Sequence, residues 1–234
     1  MPPRPSPTHF LCVPLVTPAS RPQLVQSLGS FLADVSSPAS FGVPEDAVRP
    51  VGTLHLTLGV FSLPQSESLE RAKELLRSLK PREMLAAAAK TERATTPPPP
   101  LTVTLRGLQS MQAPSKAAVL YAAPVDPLGT LQSFCEKLRA AFQEAELMAE
   151  ESRPLLLHAT ILNTVYVKGT RKNAKRGERL TIDARGILDR YEDQVWMEDI
   201  AVGKIAICRM GAKKIEVDGI VVDERYVVEE EIPL

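Results

Sequence analysis

Leu54-His55-Leu56-Thr57-Leu58 recurs later in the chain as Leu157-His158-Ala159-Thr160-Ile161. The chain has three histidines, and two of them stand in this apolar-His-apolar-Thr-apolar frame. Successive side chains of a strand point to opposite faces. His55 and Thr57 therefore project together, as do His158 and Thr160, while the leucines of the first frame turn toward a core. Gly59 falls on the same alternating face as His55 and Thr57. A missing side chain there leaves room for a ligand, although a strand glycine also marks a bulge.

Two such strands facing each other would put two imidazoles and two hydroxyls around one small anion. Phosphodiester chemistry needs that set. One imidazole takes a proton from the nucleophile and the other gives one to the leaving oxygen. The hydroxyls hold the non-bridging oxygens while charge builds on them. Histidine suits both roles because its unperturbed pKa of about 6.5 leaves both protonation states accessible near neutrality. A lone histidine on a half-apolar strand is more often structural than catalytic; two copies of one five-residue frame reverse that preference.

Composition bounds the answer without deciding it. A chain of 234 residues can form one large domain or two lobes with a sizeable core. Its 44% hydrophobic and 24% charged residues are ordinary for a globular protein, and its zero formal net charge provides no global field for a polyanion or a membrane surface. Cys12, Cys135 and Cys208 have neither a disulfide framework nor zinc spacing, which suits a reducing compartment. The N-terminal stretch lacks the apolar region of a signal peptide, and no apolar run approaches the roughly 20 residues that span a bilayer. The expectation is a cytoplasmic and/or nuclear monomer with no membrane segment.

Residues 1–7 read as a disordered Pro-rich tail, and residues 8–234 as one bilobal domain. Residues 8–17 are strand-like, with Pro14 suggesting an edge or a bulge; His9 there has no threonine two residues on. Helical spacing runs over 21–35, with Ser20 as N-cap. The first histidine strand spans 51–61. A long helix over 66–90 is broken or kinked by Pro81, and 95–100 (TTPPPP) form a rigid connector. Strands are predicted at 101–108 and 117–123, a second long helix at 127–148, and the second histidine strand at 155–167. Residues 168–179 make a basic loop able to attract a polyanion or to serve as a nuclear localisation segment. A short helix at 183–191, a strand at 200–209 and a hairpin over 215–217 and 219–228 follow. The acidic end reads as a solvated sheet edge whose like charges discourage pairing. Each histidine strand thus belongs to a half with further strands and a long helix, which places the two motifs across a pseudo-twofold axis.

Other chemistries lack their motifs. A metal site needs at least three ligands, and each His-x-Thr frame supplies one histidine with no acidic residue on its face. No metal or other cofactor is therefore expected. The chain has no Walker loop, no GxGxxG after a strand and no nucleophile elbow.

The words Thr8-His9-Phe10-Leu11, Leu54–Val60, Leu157–Thr164, Asp183-Ala184-Arg185 and Ile207–Gly211 resemble the two-histidine (2H) phosphoesterase superfamily, LigT-like proteins included. Within it they resemble the branch containing the central domain of a nuclear A-kinase anchoring protein and activating signal cointegrator 1 complex subunit 1. The resemblance implies an α+β fold in which two antiparallel sheets flank a central cleft with helices outside. It implies His55 and His158 as acid and base, with Thr57 and Thr160 on the phosphate. It also implies a substrate among RNA ends, 2′,3′-cyclic phosphates and 2′,5′-linked oligonucleotides. By position, Arg153 approaches the nucleotide, and Phe10, Tyr166 and Trp196 are the aromatic candidates for its base. No GXXG module precedes the motifs and no amphipathic anchoring helix follows them, so the anchoring role is not carried over. The competing readings are a non-catalytic nucleotide- or RNA-binding module and a scaffold subunit of a nuclear coactivator or RNA-processing complex.

Overall fold

The computed structural model describes residues 6–89, 100–150, 153–168 and 180–234. Most of the Pro-rich tail and of the 95–100 connector, and nearly all of the basic loop, lie outside these residues.

The chain forms ten strands and five α-helices among the described residues. In order they are β1 (His9–Pro14), α1 (Ser20–Ser36), β2 (His55–Phe61), α2 (Ser66–Ser78), α3 (Pro81–Ala88), β3 (Thr102–Ser110), β4 (Val119–Pro124), α4 (Thr130–Glu144), β5 (Ala159–Asn163), α5 (Arg185–Arg190), β6 (Val195–Ala201), β7 (Lys204–Arg209), β8 (Lys213–Val217), β9 (Ile220–Arg225) and β10 (Val228–Pro233). Two antiparallel four-stranded sheets run β10-β7-β1-β2 and β6-β3-β4-β5, and β8 and β9 form a separate hairpin.

Each histidine motif lies on or beside the outermost strand of its sheet. β2 pairs with β1, β5 pairs with β4, and a helix joins the two strands of each pair. The two halves thus share one strand–helix–strand connectivity. The joining helices cross over: α1 packs on β6 of the second sheet, where Phe31 meets Trp196 edge to face at 5.2 Å. α4 packs on β2 of the first sheet, where Phe142 meets Phe61 at 5.3 Å. All four rings are at most 1% exposed, and burying each large side chain contributes roughly 2–3 kcal/mol. Each half thus covers the other's sheet, and the core runs through both.

The sequence reading and the structure differ at several places. The helix predicted over 66–90 does break at Pro81 as expected, giving two helices separated at Leu79 and Lys80, with Pro81 at the start of the second. Ser20 is not an N-cap. It opens α1 and closes the preceding turn, donating to the Leu15 carbonyl at 2.6 Å and accepting from the Thr17 N–H at 2.8 Å. The single strand expected over 200–209 is the end of β6 and all of β7, which belong to different sheets. Val202 and Gly203 lie between them, where the chain crosses from one sheet to the other. The acidic end forms the edge strand β10, but its carboxylates are paired: Glu229 with Arg209 at 2.8 Å, Glu231 with Lys204 at 2.6 Å, and Glu230 with Arg77.

A bulge sets the faces of both histidine strands. Cys12 pairs with Thr57 and Leu11 with Gly59, so Leu58 is the extra residue. Tyr121 pairs with Thr160 and Leu120 with Leu162, so Ile161 is the extra residue. Each bulge falls directly after the motif's threonine and reverses the alternation beyond it. Gly59 is therefore not on the face of His55 and Thr57. It sits opposite the buried Leu11 on the core side, where a Cβ would lie 2.1 Å from the sulfur of the buried Met148. The glycine makes room for Met148 rather than for a ligand. Gly59→Val should destabilise the protein by about 1–3 kcal/mol in urea unfolding, and Met148→Ala in the same chain should restore part of the loss. An unchanged midpoint for Gly59→Val would refute this packing.

Candidate active site

Both histidines are tethered in the same way. The His55 Nδ1 lies 2.7 Å from the Thr53 carbonyl oxygen, and the His158 Nδ1 lies 2.8 Å from the Leu156 carbonyl oxygen. A carbonyl only accepts, so in each ring Nδ1 carries the hydrogen. The neutral imidazole then keeps its lone pair on Nε2, the position from which it can take or return a proton. In each case the carbonyl belongs to the residue two before the histidine, and the threonine comes two after it. The backbone thus fixes tautomer and ring direction together.

The elements deliver this geometry locally. A 3₁₀ turn at Val51–Thr53 ends directly before β2 and brings the Thr53 carbonyl under His55. His158 stands just outside β5, which is shorter than the predicted 155–167 strand. Along β2, His55 and Thr57 are half-buried while Leu56 and Leu58 are at most 1% exposed. Thr160 is half-buried between Ala159 and Ile161, which are wholly buried. The hydroxyl of each motif therefore faces away from the core.

The two imidazoles have different surroundings. Phe10 packs on the His55 ring with centroids 4.7 Å apart, and Tyr226 meets it edge to face at 5.2 Å. This enclosure pushes the His55 imidazole down to about 4, because burial penalises the cation. The hydrogen bond to Thr53 opposes the shift, and positive charge on His158 and Arg49 adds to it. His55 is thus neutral throughout the physiological range. Among the described residues the ring that meets His158 is that of Tyr121, edge to face at 5.5 Å, and the Tyr121 hydroxyl donates to the Gln109 side-chain carbonyl at 2.8 Å.

The two motifs also meet through the backbone. The Arg49 N–H donates to the Ile161 carbonyl at 2.8 Å, and Val48 bridges Leu162 in antiparallel fashion. The segment leading into the first motif thus pairs with the strand of the second.

The other named residues fall in different places. Phe10 is 2% exposed and lies against His55. Tyr166 is half-exposed just beyond β5, with the Arg49 guanidinium 3.6 Å from its ring centroid. Arg153 is exposed on the approach to His158. Trp196 is a core residue, its indole N–H donating to the Gly107 carbonyl at 2.8 Å. His9 is buried beside Thr8 and lies 3.9 Å from Glu229. Sequence reasoning missed Arg49, Tyr121 and Tyr226. Arg49 stands in a proline-containing loop and Tyr226 in a two-residue link, where no periodicity marks a buried side chain. Among the described residues no three His, Cys, Asp or Glu side chains cluster as a metal site, and no helix is long and apolar enough to cross a membrane.

Two antiparallel sheets with the histidine motifs at their outer strands make up a LigT-like fold of the 2H phosphoesterase superfamily. More specifically, the chain belongs to the family of the AKAP7 2′5′ RNA ligase-like domain, whose model matches residues 7–233. Escherichia coli LigT in complex with 3′-AMP has a similar fold, with a TM-score of 0.53 and 17% identity over 97% of this chain and 98% of that one. The Thermus thermophilus protein TT0787 gives a TM-score of 0.53 and 17% identity over 97% of both chains. An uncharacterised Schizosaccharomyces pombe protein is 26% identical over 200 residues, which cover 85% of this chain and 86% of its own. Family membership places the chain among phosphodiester-processing proteins.

The low His55 pKa carries a stability consequence. An unfolded histidine takes up its proton near pH 6.5, whereas folded His55 does so near 4. Between those values the unfolded chain binds more protons, so acidification destabilises the fold, by at most roughly 3 kcal/mol from this group. Urea unfolding at pH 7 and pH 5 should show a smaller loss for His55→Gln than for the natural protein. Equal losses would show that His55 is not held neutral.

Proposed function

We propose that the protein is a metal-independent phosphodiesterase that hydrolyses 2′,3′-cyclic phosphates or 2′,5′-linked oligonucleotides, with His55 and His158 as its acid–base pair. The observation that carries this reading is the duplicated tether, in which each imidazole donates through Nδ1 to a carbonyl and is left with Nε2 for proton transfer. E. coli LigT, which shares the fold, has been crystallised with 3′-AMP. A nucleotide is accordingly the ligand class we assign to this site.

The chemistry needs one base and one acid at the start of the reaction. His55, neutral at pH 7, fits the base. Its Nε2 takes a proton from water as the water oxygen attacks phosphorus. The bond from phosphorus to the ribose oxygen breaks, and protonated His158 gives its Nε2 proton to that oxygen. The product is a phosphomonoester and a free hydroxyl. Thr57 and Thr160 donate to the non-bridging oxygens, whose charge grows in the transition state. His55 is then protonated and His158 neutral, and proton exchange with solvent restores the starting state.

Product analysis in the presence of EDTA tests the proposal. The purified protein would be incubated with a 2′,3′-cyclic nucleotide, 2′,5′-oligoadenylate and 3′,5′-oligoadenylate, beside His55→Ala and His158→Ala. Cleavage of a 2′-linked substrate should survive EDTA and fall by on the order of 10³-fold in either variant, with little further loss in the double variant, because acid and base act as a unit. Folded protein that binds nucleotide yet releases no product would overturn the proposal in favour of a binding module.

A further inference from the structure

Arg49 is a buried cation with an incomplete set of partners. Its side chain is 5% exposed, and its Nη2 finds no hydrogen-bond acceptor among the described residues. The nearest carboxylate, Glu224, is 3.9 Å from that nitrogen, beyond hydrogen-bond distance. A guanidinium kept in such a place has a cost that surface arginines avoid. What it gains is a set of contacts that converge on the site.

Those contacts come from three parts of the chain. The guanidinium stacks on Tyr166, which follows β5 and the second motif. It lies in polar contact with the hydroxyl of Tyr226, which also interacts with the Tyr166 hydroxyl. Tyr226 in turn packs against both His55 and Phe10, edge to face on each, at 5.2 Å and 4.8 Å. The backbone N–H of the same arginine is bound to Ile161, the residue after Thr160. One residue therefore touches the frame of the second motif and, through one ring, the imidazole of the first.

We propose that Arg49 is a positioning residue that acts through Tyr226 and Tyr166 to hold the His55 imidazole in register with the second motif. The idea rests on the acid–base reading of His55, but its first readout does not need turnover. A planar guanidinium is suited to this role because it stacks on one ring while its edge directs hydrogens at a neighbouring hydroxyl. The charged and titratable groups around His55 are Tyr226, His158 and Arg49, with Glu224 behind Arg49. Removing Arg49 takes away a positive charge and loosens the enclosing ring. Both changes favour the imidazolium, so His55 should titrate higher.

The test uses the full chain and nuclear magnetic resonance titration of the histidine Cε1–H signals, with 2′,3′-cyclic nucleotide hydrolysis measured alongside. In Arg49→Met the His55 midpoint should rise from about 4 toward 6.5. Turnover should show kcat lowered about tenfold or more with KM within about twofold, because Arg49 does not itself meet substrate. A folded variant in which the His55 midpoint does not move would overturn the proposal, as would one in which KM rises while kcat is kept. If the natural protein hydrolyses none of the substrates, the functional reading fails while the titration still decides the role of Arg49. Should Arg49→Met not fold, Arg49→Lys keeps the charge without the planar edge. Nuclear Overhauser contacts between Tyr226 and His55 should then be lost, and their persistence would overturn the proposal.

Discussion

The structure depends on the meeting of two sheet edges. β2 and β5 are the outermost strands of their sheets, and an edge strand exposes backbone groups that need partners. Here each edge is kept within the molecule. The segment at Val48 and Arg49 pairs with β5, and α4 closes over β2. The crossed helices make the arrangement mutual, since each half covers a sheet of the other. The histidines are carried by these edges, so the contact that joins the halves also brings the two motifs together.

The motifs are alike in their backbone and unlike in their environment. In each, Nδ1 is bound to the carbonyl two residues before the ring, and a bulge follows the threonine. Around that shared frame, among the described residues, His55 is enclosed by Phe10 and Tyr226, whereas the ring that meets His158 is Tyr121. The closer enclosure of His55 disfavours its cation and keeps that ring neutral near pH 7.

Much of this was legible in the chain. Repetition of His-x-Thr pointed to a paired site, and alternation on either side of each motif predicted strands. The helices at α1, α2 and α4 followed from their apolar stripes. Gly59 hinted at a bulge in the first strand, but neither bulge could be placed, because a bulge depends on how two strands register and not on the bulged strand alone. Strict alternation therefore put Gly59 on the wrong face. The split between β6 and β7 was hidden for a similar reason: Ile200 and Val202 read as one apolar run with the residues after Gly203, although the two sides of that run enter different sheets. Arg49 and Tyr226 carried no local signal at all.

The sequence alone determined the two histidine–threonine frames, the alternation that turns them away from a core, and the halves to which they belong. These are properties of period and residue type, which act over a few neighbours. Tertiary structure alone decided that both frames lie at sheet edges and that His55 is the enclosed imidazole. It also decided that the space at Gly59 belongs to Met148, and that Arg49 and Tyr226, far apart in the chain, converge beside His55. These are outcomes of register and burial. Both depend on which distant segments meet, and such meetings leave no periodic trace in the segments themselves.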